Sequence, residues 1–200
     1  MRTRFALLLT IAAVSITAGA QTTAAHPAST GPELGLLYTY LRSNAPVGQC
    51  GCFSPQGGSV SLAVPLHGNR FFAAGDVTVA HADKISQGGY DLTLSTFTAG
   101  VRYRPGFSLG PLVPSVQVLA GGAHAGGALV SGNSPAAADS SVVFASNVGG
   151  GLDLKLSPGS HFSLRLVEAD YLVTLFHNGQ NDHQNMLRLS TGVVIHFGRR

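Results

Sequence analysis

The chain has 200 residues, enough for one domain with a sizeable core, and it carries little charge. Asp, Glu, Lys and Arg make up 10% of the sequence, against about 25% in typical soluble domains. Glycine supplies 26 residues, where about 7% of a chain is usual. The charges are scattered singly with no basic patch, so the composition argues against a nucleic-acid-binding protein and against an ordinary soluble domain.

The N-terminus has the pattern of a secretory signal peptide. Arg2 and Arg4 precede an apolar stretch at residues 5–16, and Ala-Gly-Ala at positions 18–20 fits a small-x-small cleavage site. The apolar stretch is shorter than the ~20 residues that a membrane-spanning helix needs. No Cys stands directly after the cleavage site, so a lipoprotein anchor is not expected. We therefore predict a cleavable signal peptide over residues 1–20.

From residue 33 onward the hydrophobic pattern has a period of two, which is typical of β-strands. In the last segment Leu187 and Leu189 share one face, whereas Arg188 and Ser190 share the other. Most of the segments reach the ~9–11 residues that a strand needs to cross a bilayer at a tilt. The pattern predicts eight strands, over residues 33–42, 58–66, 70–80, 89–104, 112–124, 141–156, 161–176 and 185–197.

The predicted connections alternate in length along the chain. Shorter turns at 67–69, 105–110 and 157–160 alternate with longer segments at 43–57, 81–88, 125–140 and 177–184. Outer-membrane barrels connect their strands in this way, and an even strand number places both termini at the short-turn, periplasmic side. The sequence thus predicts an all-β fold: an eight-stranded antiparallel up-and-down transmembrane β-barrel over residues 33–197. A disordered lead-in is expected at 21–32 and a C-terminal tail at 198–200.

Closure of the sheet has a physical reason, because lipid cannot satisfy backbone N–H and C=O groups at an open edge. The outside is then apolar, and the lumen of an eight-stranded barrel is filled by its own side chains. We expect the inward set to be polar and of mixed charge, so that ion pairs and water connect it. The predicted lumen network comprises Asp76, Arg102, Arg104, Asp153, Lys155 and Arg188.

The alternation fails at two places. Glu168 and Asp170 share parity with outward leucines, and two carboxylates in lipid would cost up to a few kcal/mol each. A β-bulge near residues 167–168 is therefore expected to return both acids to the lumen. Leu92 and Leu94 share parity with Arg102, so a bulge, or a strand end above the membrane, is expected there too.

The last strand carries a motif that resembles the terminal signal of outer-membrane barrels. In residues 190–197 Gly192, Ile195 and Phe197 match the glycine, hydrophobe and aromatic positions of that signal. The whole of 33–197 resembles the OmpA-like family, or outer membrane protein β-barrel domain, without a peptidoglycan-binding domain. The resemblance implies that the barrel assembly machinery would read the last strand. It departs from the family in the three residues that follow Phe197.

The predicted loops carry residues that could have chemistry of their own. Cys50 and Cys52 in the first long loop could form a strained disulfide, an intermolecular bridge or a metal or redox site, or remain inert thiols. His177, Asp182 and His183 in the last long loop could hold a metal, although exposed histidines are common without one. No metal site or cofactor is predicted. His124 and His196 are interpreted as polar residues of the lumen or the rim.

Four functions are compatible with such a chain. The favoured one is a non-enzymatic, monomeric barrel that contacts outer-membrane lipid and serves envelope integrity or surface interaction. A narrow pore for water or small solutes is the alternative. A lipid A hydrolase is disfavoured. The barrels with that activity carry a His-x-Ser-Asn run on one strand, and here His161-Phe162-Ser163 is followed by Leu164 rather than Asn. A soluble lipocalin-like binder would need neither the alternating loops nor the terminal signal.

Overall fold

The computed structural model describes residues 31–43, 54–66, 70–85, 90–127, 142–157, 160–176 and 182–198. The predicted signal peptide, most of the lead-in, Cys50, Cys52 and His177 lie outside the described residues. The ordered elements are eight β-strands. They are β1 (Glu33–Ser43), β2 (Gln56–Pro65), β3 (Phe71–Ile85), β4 (Tyr90–Tyr103), β5 (Leu112–Gly127), β6 (Val143–Lys155), β7 (Phe162–Thr174) and β8 (Gln184–His196). Within the described ranges no helix is long and apolar enough to cross a membrane.

The sheet is a closed barrel in which each strand pairs antiparallel with its neighbours in sequence. The ring is completed by β1 and β8, whose register runs from Glu33 opposite His196 to Ser43 opposite Met186. The eight strands therefore leave no open edge, as the predicted fold class requires. We call the end with connections 66–70, 104–111 and 156–161 the short-turn end, and the opposite end the long-loop end. The first strand begins, and the last strand ends, at the short-turn end.

One predicted connection is wrong in length. The segment 81–88 is predicted to be a long loop, but β3 continues to Ile85 and β4 begins at Tyr90, so only residues 86–89 connect them. The ladder extends because His81 pairs with Thr93 and Ala82 with Leu92 beyond the predicted strand ends. The cause is that polar outward residues in this extension give the pattern of a loop although the backbone remains paired.

The expected bulge in β7 is present, one residue earlier than predicted. The β7–β8 register passes from Arg165 opposite Gly192 to Glu168 opposite Ser190, so two residues of β7 face one residue of β8. The extra pair, Leu166 and Val167, are both exposed, at 44% and 41%. The bulge thereby keeps leucine and valine outside while turning Glu168 to the lumen.

Near Leu92 and Leu94 the two ladders of β4 differ. The β4–β5 ladder is continuous from Tyr103 opposite Val116 to Leu92 opposite Gly127, whereas the β3–β4 ladder shifts register just beyond the Ala82–Leu92 pair. The shift does not turn the leucines outward, because both are buried inside the barrel on the same face as Arg102. They pack there in an apolar cluster of the lumen, so they need no correction of register.

Candidate functional site

The outer face of the barrel is apolar along its middle. Exposed side chains there are mostly valine and leucine, and Val118, for example, is 59% exposed. Among the described strand residues, exposed Asp, Glu, Lys and Arg side chains occur only near the long-loop end, at Arg42, Asp83 and Asp91. The outside of this sheet therefore has the polarity that a soluble protein keeps in its core. We call this surface the apolar belt; it includes Leu36, Val60, Leu62, Val77, Val101, Val116, Val118, Val148, Leu187 and Val193.

Aromatic side chains border the apolar belt at the short-turn end. Phe71 begins β3 and Tyr103 ends β4, and their ring centroids are 4.9 Å apart. Phe162 begins β7 and Phe197 directly follows β8, and both are about half exposed. Girdles of aromatic residues flank the apolar band of transmembrane barrels at the interface with water. The aromatic positions thus mark one boundary of a membrane-facing band.

Arg188 connects opposite sides of the lumen. Its Nη1 donates to Asp76 Oδ1 of β3 at 2.5 Å and to Thr78 Oγ1 at 3.0 Å. Its Nε and Nη2 donate to Asp170 Oδ2 at 2.9 and 2.5 Å, and Nη2 also donates to Glu168 Oε1 at 3.1 Å. All of these residues are buried. A single guanidinium therefore contacts three carboxylates from two different strands.

Two further arginines continue the network. Arg165 donates to Asp153 Oδ1 through Nε at 2.7 Å, and to Glu168 Oε2 through Nη1 at 2.6 Å. Arg102 donates to Glu168 Oε2 at 3.2 Å and to Gln117 Oε1 at 2.7 Å. The amide of Gln117 in turn donates to Asp170 Oδ1 at 3.0 Å. Because each carboxylate has several donors, the buried charges of the lumen are mutually compensated.

The network ends at the short-turn mouth with Arg104. Its guanidinium forms a two-pronged ion pair with Glu33, and Nη2 lies 3.3 Å from Asp153 Oδ2. The same guanidinium lies over the ring of Phe72, 4.8 Å from its centroid. His196 Nδ1 is 3.1 Å from Glu33 Oε1. The short-turn mouth is therefore lined by one guanidinium, one carboxylate and one imidazole in contact with one another.

The structure places the predicted lumen residues as follows. Asp76, Arg102, Arg104, Asp153 and Arg188 are buried and lie in one connected set of ion pairs. Lys155 is half-buried at the end of β6. Sequence reasoning missed other members of the set. These are Glu33, Gln117 and Arg165.

Above the ion pairs the lumen contains a cluster of apolar side chains. Moving two residues toward the long-loop end leads from Arg188 to Met186, from Asp170 to Leu172 and from Thr78 to Ala80. We call this cluster the apolar septum. Its members are Leu41, Ala80, Leu92, Leu94, Ala123, Ala125, Ala145, Leu172, Phe176 and Met186. A lumen largely filled by polar side chains was the expectation, and the septum adds an apolar cluster to it, at the end where Ser43 and Thr174 are also buried.

The barrel has structural neighbours among outer-membrane proteins. No family model and no curated protein matches the sequence. Among solved structures, the outer membrane protein OprG from Pseudomonas aeruginosa aligns with a TM-score of 0.52 at 9% identity, over 86% of this chain and 98% of that one. The N-terminal β-barrel domain of OprF from the same organism gives 0.44 at 17%, over 82% and 97%. Ail, the attachment invasion locus protein of Yersinia pestis, gives 0.46 at 16%, over 82% and 99%.

The fold is that of a small outer-membrane β-barrel. In this outer-membrane barrel fold the residues of the predicted assembly motif lie at the short-turn half of β8 and just beyond it. Ile195 is half-buried and Phe197 is half exposed, whereas Gly192 pairs with Leu37 across the seam with β1. A Cβ on Gly192 would lie 2.2 Å from the carbonyl oxygen of Leu36 and 2.8 Å from the Cα of Leu37. Packing against the backbone of β1 thus requires glycine at position 192, whether or not the assembly machinery reads this strand.

Gly192→Ala is therefore expected to impair folding of the isolated outer-membrane barrel. The added methyl group can be accommodated only if the backbone of β1 shifts, because its neighbours are backbone atoms. The measurement is the yield of refolding from urea into detergent micelles, followed by the gel shift between unheated and heated samples. Gly75→Ala is the matched control, since a Cβ there would have its nearest neighbour at 3.8 Å. Equal refolding of the two variants would contradict the steric role.

The short-turn mouth also brings together a serine, a histidine and an acid. Ser163 Oγ lies 2.8 Å from His196 Nε2, and His196 Nδ1 lies 3.1 Å from Glu33 Oε1. This is the connectivity of a nucleophile, a base and an orienting carboxylate, assembled from β7, β8 and β1. A motif of neighbouring residues on one strand does not predict it, because the three residues come from three strands that are distant in sequence. Ser163 is 1% exposed and Glu33 is also held in an ion pair by Arg104, so the arrangement buries the hydroxyl rather than presenting it as a nucleophile.

Of the other polar residues considered from sequence, the structure describes His124, Asp182 and His183. His124 is half-buried on the face of β5 opposite the buried Ala123 and Ala125, near the long-loop end. Asp182 and His183 are exposed just before β8. The proposed third member of their cluster, His177, lies outside the described residues.

Proposed function

We propose that the protein spans the bacterial outer membrane as a monomeric, non-enzymatic barrel with a structural or surface-interaction role. The observation that carries the proposal is the reversed polarity of the sheet, with the apolar belt outside and compensated charges inside. In water the belt would expose a contiguous apolar surface far larger than soluble monomers tolerate. In lipid the same surface is solvated by acyl chains, and the closed sheet provides hydrogen-bond partners for the backbone N–H and C=O groups of every strand.

The orientation follows from the same fold. Both barrel termini lie at the short-turn end, which is the periplasmic end in outer-membrane barrels. The long loops would then face the cell exterior and make any contacts with partners there. A closed ring offers no strand edge for pairing with a second copy, which supports the monomer, and the β8 motif supports recognition by the barrel assembly machinery.

Membrane insertion is tested by fractionation and by heat-modifiable gel migration. We expect the protein to fractionate with the outer membrane and to migrate faster in unheated than in heated samples, because the closed barrel resists the detergent. Recovery of a folded, monodisperse protein from the soluble fraction without detergent would overturn the proposal.

The lumen favours the structural role over the alternative of a narrow pore. Eight strands enclose little more than their own side chains, and here seven of the eight strands contribute apolar side chains to the septum. We therefore expect the wild-type barrel to give no conductance steps in a planar lipid bilayer. Frequent, uniform steps from the wild-type protein would establish the pore instead.

Replacing septum leucines is expected to open a path for ions. Leu94→Ser with Leu172→Ser removes two large apolar side chains and adds hydroxyls that water can solvate, so conductance steps should appear. Leu37→Ser is the matched control, because Leu37 is a buried lumen leucine outside the septum. Steps that are absent from the double variant, or equal in the control, would show that the septum is not the barrier. Heat-modifiable migration verifies that each variant is folded before it is measured.

The absence of hydrolase activity has its own test. A fluorophosphonate probe labels activated serines covalently. We expect no labelling of Ser163, because that residue is buried. Labelling that disappears in Ser163→Ala would instead establish an enzyme at the short-turn mouth.

A further inference from the structure

Three side chains that can bind a metal ion lie close together on the outside of the barrel, at the long-loop end of β3 and β4. His81 and Asp83 lie on β3 and Asp91 lies on β4, and all three are exposed. One ligand atom from each lies within 4.8 Å of the other two. We propose that these residues form a binding site for a divalent transition metal ion, with Zn²⁺ as the best match.

The His81 imidazole lies between a hydroxyl and a carboxylate. His81 Nδ1 lies 2.8 Å from Thr93 Oγ1, while Nε2 lies 2.7 Å from Asp83 Oδ1. Because an ionised carboxylate only accepts, Nε2 carries the proton in this arrangement. A metal ion bound at Nε2 would require the proton on Nδ1, where Thr93 Oγ1 can accept it and hold the ring in that tautomer. Thr93 reaches this position because it is the register partner of His81 across the β3–β4 ladder.

The carboxylates are placed across the same ladder. Ala82 pairs with Leu92 and Ile85 with Tyr90, so Asp83 and Asp91 lie within the register shift between these two pairs. The irregularity brings a carboxylate from each strand to the same place on the outer face. A divalent cation bound there would offset their two negative charges.

The ligand set indicates the class of metal. Imidazole nitrogen suits zinc and its neighbours in the first transition row, and carboxylates alone would favour magnesium or calcium. Three protein ligands leave a fourth position open, as in zinc sites that hold water or an exogenous ligand. The site stands apart from the lumen, since His81 and Asp83 face outward while the intervening Ala82 is buried inside.

The test is a calorimetric titration of Zn²⁺ into the refolded, metal-free full-length barrel in detergent. Cys50 and Cys52 are replaced by Ser in every sample, so that loop thiols do not compete. We expect one fewer bound Zn²⁺ per barrel in Asp83→Asn and in Asp91→Asn than in the parent. Thr93→Val should keep the site but weaken it by about 10- to 100-fold, because it removes only the partner that orients the ring.

A control and a second readout make the outcome decisive. His161→Gln removes another exposed histidine, at the short-turn end, and should leave the stoichiometry unchanged. Saturating Zn²⁺ should raise the urea midpoint of the parent and not that of Asp91→Asn, since the ion binds only the folded hairpin. Equal stoichiometry and affinity in the parent and both aspartate variants would overturn the proposal, and so would a parent that binds no Zn²⁺.

Discussion

Arg188→Leu is expected to lower the free energy of unfolding by about 3–5 kcal/mol, the range measured when one partner of a buried ion pair is removed. The change would leave Asp76 with only the hydroxyl of Thr78 as a partner. Asp170 and Glu168 would each lose a donor, although Gln117 still binds the first and two arginines still bind the second. The chain contains no Trp, so urea unfolding in lipid vesicles is best followed by far-ultraviolet circular dichroism and by the heat-dependent gel shift.

Arg42→Leu is the matched control for this prediction. Arg42 is exposed on β1, and its described side-chain contacts, to Ser54 Oγ at 3.5 Å and to Tyr40, lie outside the lumen. The same substitution there should change stability by no more than about 0.5 kcal/mol. If Arg188→Leu and Arg42→Leu unfold at the same urea concentration, Arg188 does not connect the lumen charges as described.

Val118→Arg is expected to destabilise the barrel in a lipid bilayer by about 2–4 kcal/mol, the cost of an arginine on the lipid face at mid-depth. Val118 lies in the apolar belt between Val101 of β4 and Val148 of β6, its register partners. The large cost arises because the guanidinium would have to reach water or draw water into the hydrocarbon. Equilibrium unfolding in vesicles measures it directly.

A second arginine substitution separates membrane depth from simple intolerance of charge. Leu109 is as exposed as Val118, at 61%, but lies in the connection 104–111 at the short-turn end. Leu109→Arg should cost about 0–1 kcal/mol, because the penalty falls away near the interface. Equally small costs at both positions would mean that the belt faces water, and the membrane proposal would fail.

The period of two carried most of what could be predicted of the fold. It assigns Val60 and Leu62 to one face and Ser59 and Ser61 to the other, and the structure exposes the first pair and buries the second. The pattern breaks at Glu168, which shares parity with outward leucines. The bulge in β7 is predicted from this break, because a carboxylate in lipid is costly. Periodicity succeeds here because each strand separates lipid from lumen along its whole length.

What periodicity could not supply is the height of each residue in the barrel. Heights depend on the stagger between strands, which is a property of the closed sheet rather than of any one segment. Sequence alone therefore gave no reason to place Leu94 beside Leu172, or Arg104 beside Glu33. Arg165 could have been found, since it alternates with Phe162, Leu164 and Leu166 and thus shares the inward face with Ser163. The contacts of Ser163 and Glu33 with His196 required the closed ring.

The seam between β1 and β8 determines when this protein can complete its fold. The hydroxyls of Thr39 and Ser190 are 2.9 Å apart although 151 residues separate them along the chain. Such distant pairings make folding slow, because β1 can complete its hydrogen bonds only when β8 is also present. A nascent chain that stops after β7 would hold two bare edges ready to join other chains. Pairing of β8 with β1 is thus the step that removes both open edges of the sheet.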